Sequence, residues 1–254
     1  MDWSATQYLR FRDERTRPAR NLLDAVPNFS PKEVIDIGCG PGNSTALLVE
    51  RFPDAAVAGL DSSPAMLEEA RKALPGTRFE LARLDEWQPD RDYDLIYGNA
   101  VLQWLPDHRT LVPKLAGHLA PGGTVAFQMP DNLGEPSHIS MADTVAAGPW
   151  ASRLEAARIR DDLLSPAGYY TLLSPICSQI DIWRTVYHHV MDSPEAIVEW
   201  FKGSALRPLL GKLDEDERPA FLEAYTRLIT ERYPRLPDGK VLLAFPRLFI
   251  VATR

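Results

Sequence analysis

A chain of 254 residues with 45% hydrophobic and 25% charged residues has the composition of a soluble globular protein with a sizeable core. Its formal net charge of −7 argues against broad nucleic-acid binding, and an anionic ligand would need arginines to reverse the field locally. No stretch approaches transmembrane length, and Met1-Asp2-Trp3-Ser4 lacks the basic start and apolar run of a secretory signal, so neither a membrane span nor export is expected.

Taken in chain order, residues 5–29 read as helix with a break near Pro18. Between Tyr8 and Arg20 five arginines face only Asp13 and Glu14, a local charge of +3 that suits either a solvated face or a basic lid over an anionic site. Val34-Ile35 then leads through Asp36-Ile-Gly-Cys-Gly-Pro-Gly42 into Asn43-Ser44-Thr45-Ala46-Leu47-Leu48: strand, glycine turn, helix. Glycines let a backbone turn sharply and approach a ligand, and the helix start beyond offers free N–H groups. The spacing G-x-G-x-G differs from the dinucleotide G-x-G-x-x-G. Asp61 closes a second apolar run about 20 residues on, where an acid can accept both hydroxyls of a ribose. A nucleoside site is the leading reading.

Ser62-Ser63-Pro64 starts a helix through Ala73, with a capping serine and proline in the first turn. Residues 78–82 and 93–97 read as a third and a fourth strand, the latter followed by the loop Gly98-Asn99-Ala100. Leu102 to Leu119 reads as helix limited by Pro106 and Pro113, Pro121-Gly122-Gly123 as a turn, and residues 124–129 as a fifth strand. Alternating strands and helices imply a parallel sheet with helices on both faces. After Pro130 the pattern turns mostly helical over 131–180, returns to strand over 182–191, to helix over 194–233, and ends in an apolar strand over 242–253. Cys39 and Cys177 are expected to be free thiols in a reducing cytoplasm, because a disulfide would constrain the glycine loop. His188 and His189 are adjacent on a strand and point to opposite faces, and no other His/Cys cluster suggests a metal.

Asp36-Ile-Gly-Cys-Gly-Pro-Gly42, Asp61 and Pro121-Gly122-Gly123 resemble the class I S-adenosylmethionine-dependent methyltransferases. Within that superfamily the chain is similar to the trans-aconitate methyltransferase family over nearly its whole length. The likeness runs through Tyr8-Leu9 with Glu14-Arg15, residues 39–48 and 61–67, Leu102-Gln-Trp-Leu-Pro-Asp-His108, Gln128-Met-Pro-Asp-Asn132, Asp181-Ile-Trp-Arg-Thr185, Leu206-Arg-Pro208 and residues 243–252. The resemblance implies a Rossmann-like α/β fold, a mostly parallel sheet with an antiparallel closing strand and helical cap insertions. One methyltransferase domain over 1–254 would then comprise a helical lid (1–30), a cofactor-binding core (31–130), and cap insertions with closing strands (131–254). It also implies S-adenosyl-L-methionine as cofactor and a small tricarboxylate substrate, with no nucleic-acid, membrane or metal partner.

For the cofactor the resemblance singles out Gly38 and Gly40 beside its methionine part and Asp36 ordering the loop through backbone contacts. Asp61, followed by Ser62, would hold the ribose, Met66 would lie at the adenine face, and Asn99 would face the sulfonium end. Trp104 would wall the adenine or methyl pocket, core packing being the other reading for it and for Met66. Where such enzymes often carry an adenine-contacting acid, Leu81-Ala-Arg-Leu-Asp85 has Arg83, so Asp85 or backbone near Leu84 must stand in. For the acid, Arg207 leads, then Arg15, Arg247 and Tyr170, with Arg17, Arg184 and Tyr169 as further candidates, because a guanidinium binds carboxylate through two bonds and keeps its charge. A carboxylate acceptor is already ionised at neutral pH, so no general base is required and no catalytic residue is singled out. A related carboxyl methyltransferase acting on a carrier protein, a nicotinamide dehydrogenase and a non-catalytic cofactor-binding module are the competing readings.

Overall fold

The computed structural model describes residues 12–154 and 160–254, and of residues 12–15 the backbone alone. Tyr8, Leu9 and the expected helix over 5–11 lie outside the described residues. The centre is β1 (Glu33–Ile37), in which Val34, Ile35 and Ile37 have no exposed surface. Such β-branched runs suit strands covered on both faces. β1 pairs in parallel with β2 (Ala56–Asp61) and β4 (Tyr93–Asn99), β2 with β3 (Arg78–Leu81), and β4 with β5 (Leu119–Pro130). With β6 (Gln179–Met191) and β7 (Val241–Thr253) they form a seven-stranded sheet in the order β3-β2-β1-β4-β5-β7-β6.

β7 runs against both neighbours. The Thr124 and Thr253 hydroxyls meet at 3.0 Å, while further along β5 the amide just past its end, Asp131 N, donates to Pro246 O at 2.9 Å. On the other side Ser178 N donates to Thr253 O at 2.8 Å, and Trp183 stacks on Phe249 at 4.9 Å. One strand advances as the other recedes, so the expected antiparallel closing strand is present.

The helix α1 (Arg12–Ala25) passes through Pro18 without the expected break. One missing amide is outweighed there by packing: Ala19, Leu22, Leu23 and Val26 are buried, and the buried Tyr97 hydroxyl donates to Ala19 O at 2.6 Å. α2 (Asn43–Arg51) and α3 (Pro64–Ala73) follow β1 and β2; the Ser63 hydroxyl caps α3 by accepting from Met66 N at 3.4 Å. The helix expected over 102–119 is shorter. Leu102–Trp104 is a single 3-10 turn, Leu105 before Pro106 is extended, and α4 (His108–Gly117) starts only after Asp107, which caps it. Pro121-Gly122-Gly123 lies inside β5 and not before it, where the pairing with β4 slips from Tyr93↔Leu119 to Leu95↔Thr124.

The chain divides into two compact units: Met1–Pro130, Leu163–Thr185 and Leu248–Arg254 in unit 1, and Asp131–Asp162 and Val186–Arg247 in unit 2. Unit 1 packs its core on the sheet, with Ile35, Ile96, Phe127, Leu248 and Ile250 among the buried side chains, and includes α7 (Pro166–Leu173). Unit 2 contains α5 (Pro136–Ala147), α6 (Ala151–Leu154), α8 (Pro194–Lys202), α9 (Arg207–Leu210) and α10 (Glu217–Arg232). Its helices are joined by Trp150, edge-on to Phe221 at 5.2 Å, and by the Tyr225 hydroxyl, which donates to Ser137 O at 3.2 Å. Among the described residues no helix is long and apolar enough to cross a membrane.

Candidate active site

The carboxyl ends of β1, β2 and β4 bring the glycine loop, Asp61 and Asn99 to one edge of the unit 1 sheet. Gly38 has φ +65, and a Cβ there would lie 2.2 Å from Val101 Cγ2, so both the dihedral and the space demand glycine. Gly40 has φ +55, yet a Cβ would meet nothing within 4 Å: its backbone faces open room. The Gly40 amide donates to Asp61 Oδ2 at 2.9 Å and the Ser63 amide to Asp61 Oδ1 at 2.8 Å, so Asp61 ties the loop to the start of α3. Each carboxylate oxygen keeps a second lone pair for a hydroxyl donor. Ser62 is exposed and Met66 buried on α3.

Asp36 is fully buried. Its Oδ2 accepts the Ser44 and Thr45 hydroxyls at 2.8 and 2.7 Å, and Oδ1 has no hydrogen-bond partner. The expected contacts to loop backbone are therefore replaced by two hydroxyls of α2, whose side chains turn back under the loop. Burial pushes the Asp36 carboxyl up to about 7, against the two hydroxyl bonds that lower it, with Asp61 adding a smaller upward push. Cys39 and Cys177 are both free and buried, as the sequence suggested, and burial raises both thiols.

Asn99 Oδ1 accepts from Gln128 Nε2, and Ala100 N donates to Gln128 O at 2.9 Å, which fixes the loop after β4. In the 3-10 turn beyond it, Gln103 is buried with Nε2 donating to Ala100 O at 2.6 Å and Oε1 unpartnered, while Trp104 stays 41% exposed and so is no core residue. His108 holds this turn. Its Nε2 lies 2.8 Å from Leu102 O, which can only accept, so Nε2 carries the proton; Nδ1 lies 2.6 Å from the Tyr169 hydroxyl. Tyr169 is thus fully buried in unit 1 as a support, while its neighbour Tyr170 is 56% exposed. Past β3, Leu84 is buried in the core, and Arg83 pairs with Asp85 and with Glu86, holding the Asp85 carboxyl below its usual range.

The other candidates fall in both units. Arg207 opens α9 and Arg247 lies on β7, both in unit 2. Arg207 is half-buried; Arg247 is buried, with its Cζ 5.0 Å from the Phe245 ring. The Arg15 side chain lies outside the described residues, and Arg17 and Arg184 are exposed. On β6, His188 is exposed and His189 buried, as alternation requires. Sequence reasoning passed over Ser44, Thr45, Gln128 and His108. For the first two a signal was present, hydroxyls directly after the glycine turn; Gln128 and His108 meet their partners only through the fold.

The model of a methyltransferase-domain family matches residues 8–165. A trans-aconitate 2-methyltransferase from Methylobacterium radiotolerans is 56% identical over 256 residues, spanning 100% of this chain and 98% of its own. One from Rhodopseudomonas palustris is 54% identical over 254 residues, spanning 100% and 99%. Among solved structures, the YcgJ protein of Bacillus subtilis has the same fold, with a TM-score of 0.60 at 16% identity over 94% of this chain and 98% of its own. The methyl donor of this family is S-adenosyl-L-methionine, and the open backbone face at Gly40 beside Asp61 suits such a nucleoside. Identity this deep, spanning unit 2 as well as the glycine-loop core, means that the chain belongs to the trans-aconitate 2-methyltransferase family.

Proposed function

We propose that this protein esterifies one carboxylate of trans-aconitate, giving a monomethyl ester and S-adenosylhomocysteine. The observation that carries the reading is the full-length identity of 56% to a trans-aconitate 2-methyltransferase, combined with a glycine loop whose Gly40 faces open room beside Asp61. When bound, S-adenosylmethionine supplies an electrophilic methyl group that passes in line to a carboxylate oxygen while the carbon–sulfur bond breaks.

The chain's own residues bind, orient and exclude water. Gly38 and Gly40 let the loop approach the methionine part; Asp61, with Ser62 beside it, accepts the ribose hydroxyls. Met66, Leu84 and Trp104 flank the adenine, the 41% exposure of Trp104 supporting a ligand-facing role. Asn99, its carbonyl held by Gln128, offers its amide nitrogen toward the sulfonium end. Asp36 acts from beneath by fixing the start of α2. Arg207, Arg247, Arg15 and Tyr170 hold the carboxylates that are not esterified. No residue serves as an obligatory general base, because the attacking oxygen is already ionised. Orientation then supplies much of the rate enhancement, on the order of 7–11 kcal/mol in well-aligned systems.

The test is product identification. Purified protein, S-adenosylmethionine and a panel of trans-aconitate, cis-aconitate, citrate and isocitrate should yield the trans-aconitate monomethyl ester as the main product by mass spectrometry and NMR. No ester from trans-aconitate, or faster methylation of another acid, sinks the reading.

A further inference from the structure

The loop after β4 carries a buried acceptor that the fold leaves without a donor. Gln103 is 4% exposed, and its Nε2 donates to Ala100 O at 2.6 Å. A carbonyl oxygen only accepts, so the side-chain amide cannot be turned over, and Oε1 is held on the side away from Ala100 O. There it is buried and has no hydrogen-bond partner among the described residues. Ala100 is held on both sides. It has φ +57, a left-handed conformation that is costly for a residue with a Cβ, and its N–H donates to Gln128 O at 2.9 Å. His108 Nε2 lies 2.8 Å from the carbonyl of Leu102, the residue before Gln103, and fixes the turn from beyond. One amide thus holds a strained residue and presents an orphaned oxygen. Native chains rarely leave a buried acceptor unmet, and strain of this kind gathers at ligand clamps.

We propose that Gln103 Oε1 accepts a hydrogen bond from the α-ammonium of S-adenosylmethionine and so fixes the methionine part of the cofactor. The proposal deepens the functional reading above and rests on its placement of that part beside Gly38 and Gly40. An ionised tricarboxylate has no hydrogen to donate, so Oε1 would repel the acid and not hold it. The cofactor has three kinds of donor: the adenine amino group, the ribose hydroxyls and the α-ammonium. The functional reading puts the first two near Leu84 and Asp61, after β3 and β2. In the order β3-β2-β1-β4 the turn of Gln103 lies on the other side of β1. The β1 loop is its neighbour there, since a Cβ on Gly38 would lie 2.2 Å from Cγ2 of Val101, two residues before Gln103. Oε1 is covered by the chain itself, so the loop must yield slightly for a donor to reach it. A charge-assisted bond can offset that cost, and an ammonium leaving water needs such an acceptor.

The experiment titrates three ligands by calorimetry into wild type, Gln103→Met and Gln103→Glu, with displacement titrations for weak binding. The ligands are S-adenosylhomocysteine, its decarboxylated form, which keeps the ammonium, and its deaminated form, which lacks it. Losing the bond to Ala100 O loosens the loop for every ligand alike. The quantity read is therefore the ratio of Kd between the deaminated form and S-adenosylhomocysteine. Gln103→Met should shrink this ratio by about 10–100-fold, the range for one hydrogen bond to a charged group, and the decarboxylated form should weaken in step with S-adenosylhomocysteine. Gln103→Glu keeps an acceptor oxygen and should hold the ratio at or above the wild-type value. An unchanged ratio in Gln103→Met overturns the proposal, and is the result expected if a buried water alone satisfies Oε1. If Gln103→Met does not fold, Gln103→Glu decides, and a ratio below the wild-type value is equally fatal. Wild type that binds S-adenosylhomocysteine no better than its deaminated form also overturns it. None of these titrations contains trans-aconitate, so a failure to esterify that acid sinks the functional reading separately and leaves Gln103 to be judged by the ratios.

Discussion

Asp36 on β1 and Asp61 at the end of β2 are carboxylates on either side of the glycine loop with opposite surroundings. Asp61 is partly exposed and accepts two backbone amides, so its proposed contribution to cofactor binding has two parts, ribose contact and loop order. Asp61→Ala removes both, and the expected loss of S-adenosylmethionine affinity is about 1.5–3 kcal/mol per charge-assisted bond. Asp61→Asn, which keeps one acceptor oxygen, should lose less. Calorimetry on folded variants decides this, and unchanged Kd in Asp61→Ala would remove the residue from the site. Asp36, by contrast, is sealed off with one oxygen unpartnered and a carboxyl raised to about 7 from 3.8. A raised folded-state value means that the native chain holds a proton that the unfolded chain releases. The associated stability is complete below the unfolded value and is lost as pH rises through about 7. Without cofactor, wild type should therefore lose stability from Asp36 between about pH 4 and 7, by about 4 kcal/mol at most. Asp36→Asn should flatten that part of the profile in urea titrations at several pH values, and identical profiles would contradict the assignment.

The loops after β1 and β4 interlock at Gly38 and Val101. Gly38→Ala carries two separable costs. One is the left-handed dihedral, about 1–2 kcal/mol for an L residue; the other is the 2.2 Å collision with Val101 Cγ2. Val101→Gly in the same chain removes the collision, including the Val101 Cβ at 2.5 Å, and leaves the dihedral. The double variant should fall below Val101→Gly alone by about the dihedral cost only, a smaller loss than Gly38→Ala causes in wild type, with cofactor binding following the same pattern. Strict additivity of the two substitutions in thermal or urea unfolding would show that the loops do not press on each other. The 3-10 turn Leu102–Trp104 belongs to the same set of supports, since His108 and Tyr169 hold it from beyond the helix cap.

At the scale of the whole molecule, the chemistry is expected to run on alignment. With a carboxylate as acceptor, single-turnover rates should be nearly flat from about pH 6.5 to 8.5, well above an ordinary carboxyl pKa. Asp36 titrates near the lower end of that range, so both ligands must be saturating, which removes any pH dependence carried by cofactor affinity. A unit-slope rise through the window would indicate an acceptor that has to be deprotonated, and with it a general base. Unit 1 holds the glycine loop and Asp61, and unit 2 holds Arg207 and Arg247.

The β-α-β start of the chain was legible because its signals are local. A β-branched run, glycines at fixed offsets, a capping serine before proline and an acid at a strand end each act within a few residues, and together they mark the strands and helices of that unit. Errors fell where long-range packing outvoted local preference. Pro18 stays helical because a buried face and Tyr97 hold α1. The helix after β4 begins at His108 because Leu105 must be extended before Pro106, and Asp107 then caps α4. The glycines after Pro121 became a bulge inside β5 because β4 pairs on both sides of them. Site residues divide in the same way. Sequence alone determined the fold class and marked the glycine loop and Asp61, whose meaning lies in spacing. Only the tertiary structure decided that Asp36 answers to Ser44 and Thr45, that Tyr169 supports His108 from 61 residues away, and that Arg160 donates to Asn132. Burial and partnership between distant side chains depend on how the segments pack, and one arginine among many has no local pattern that records it.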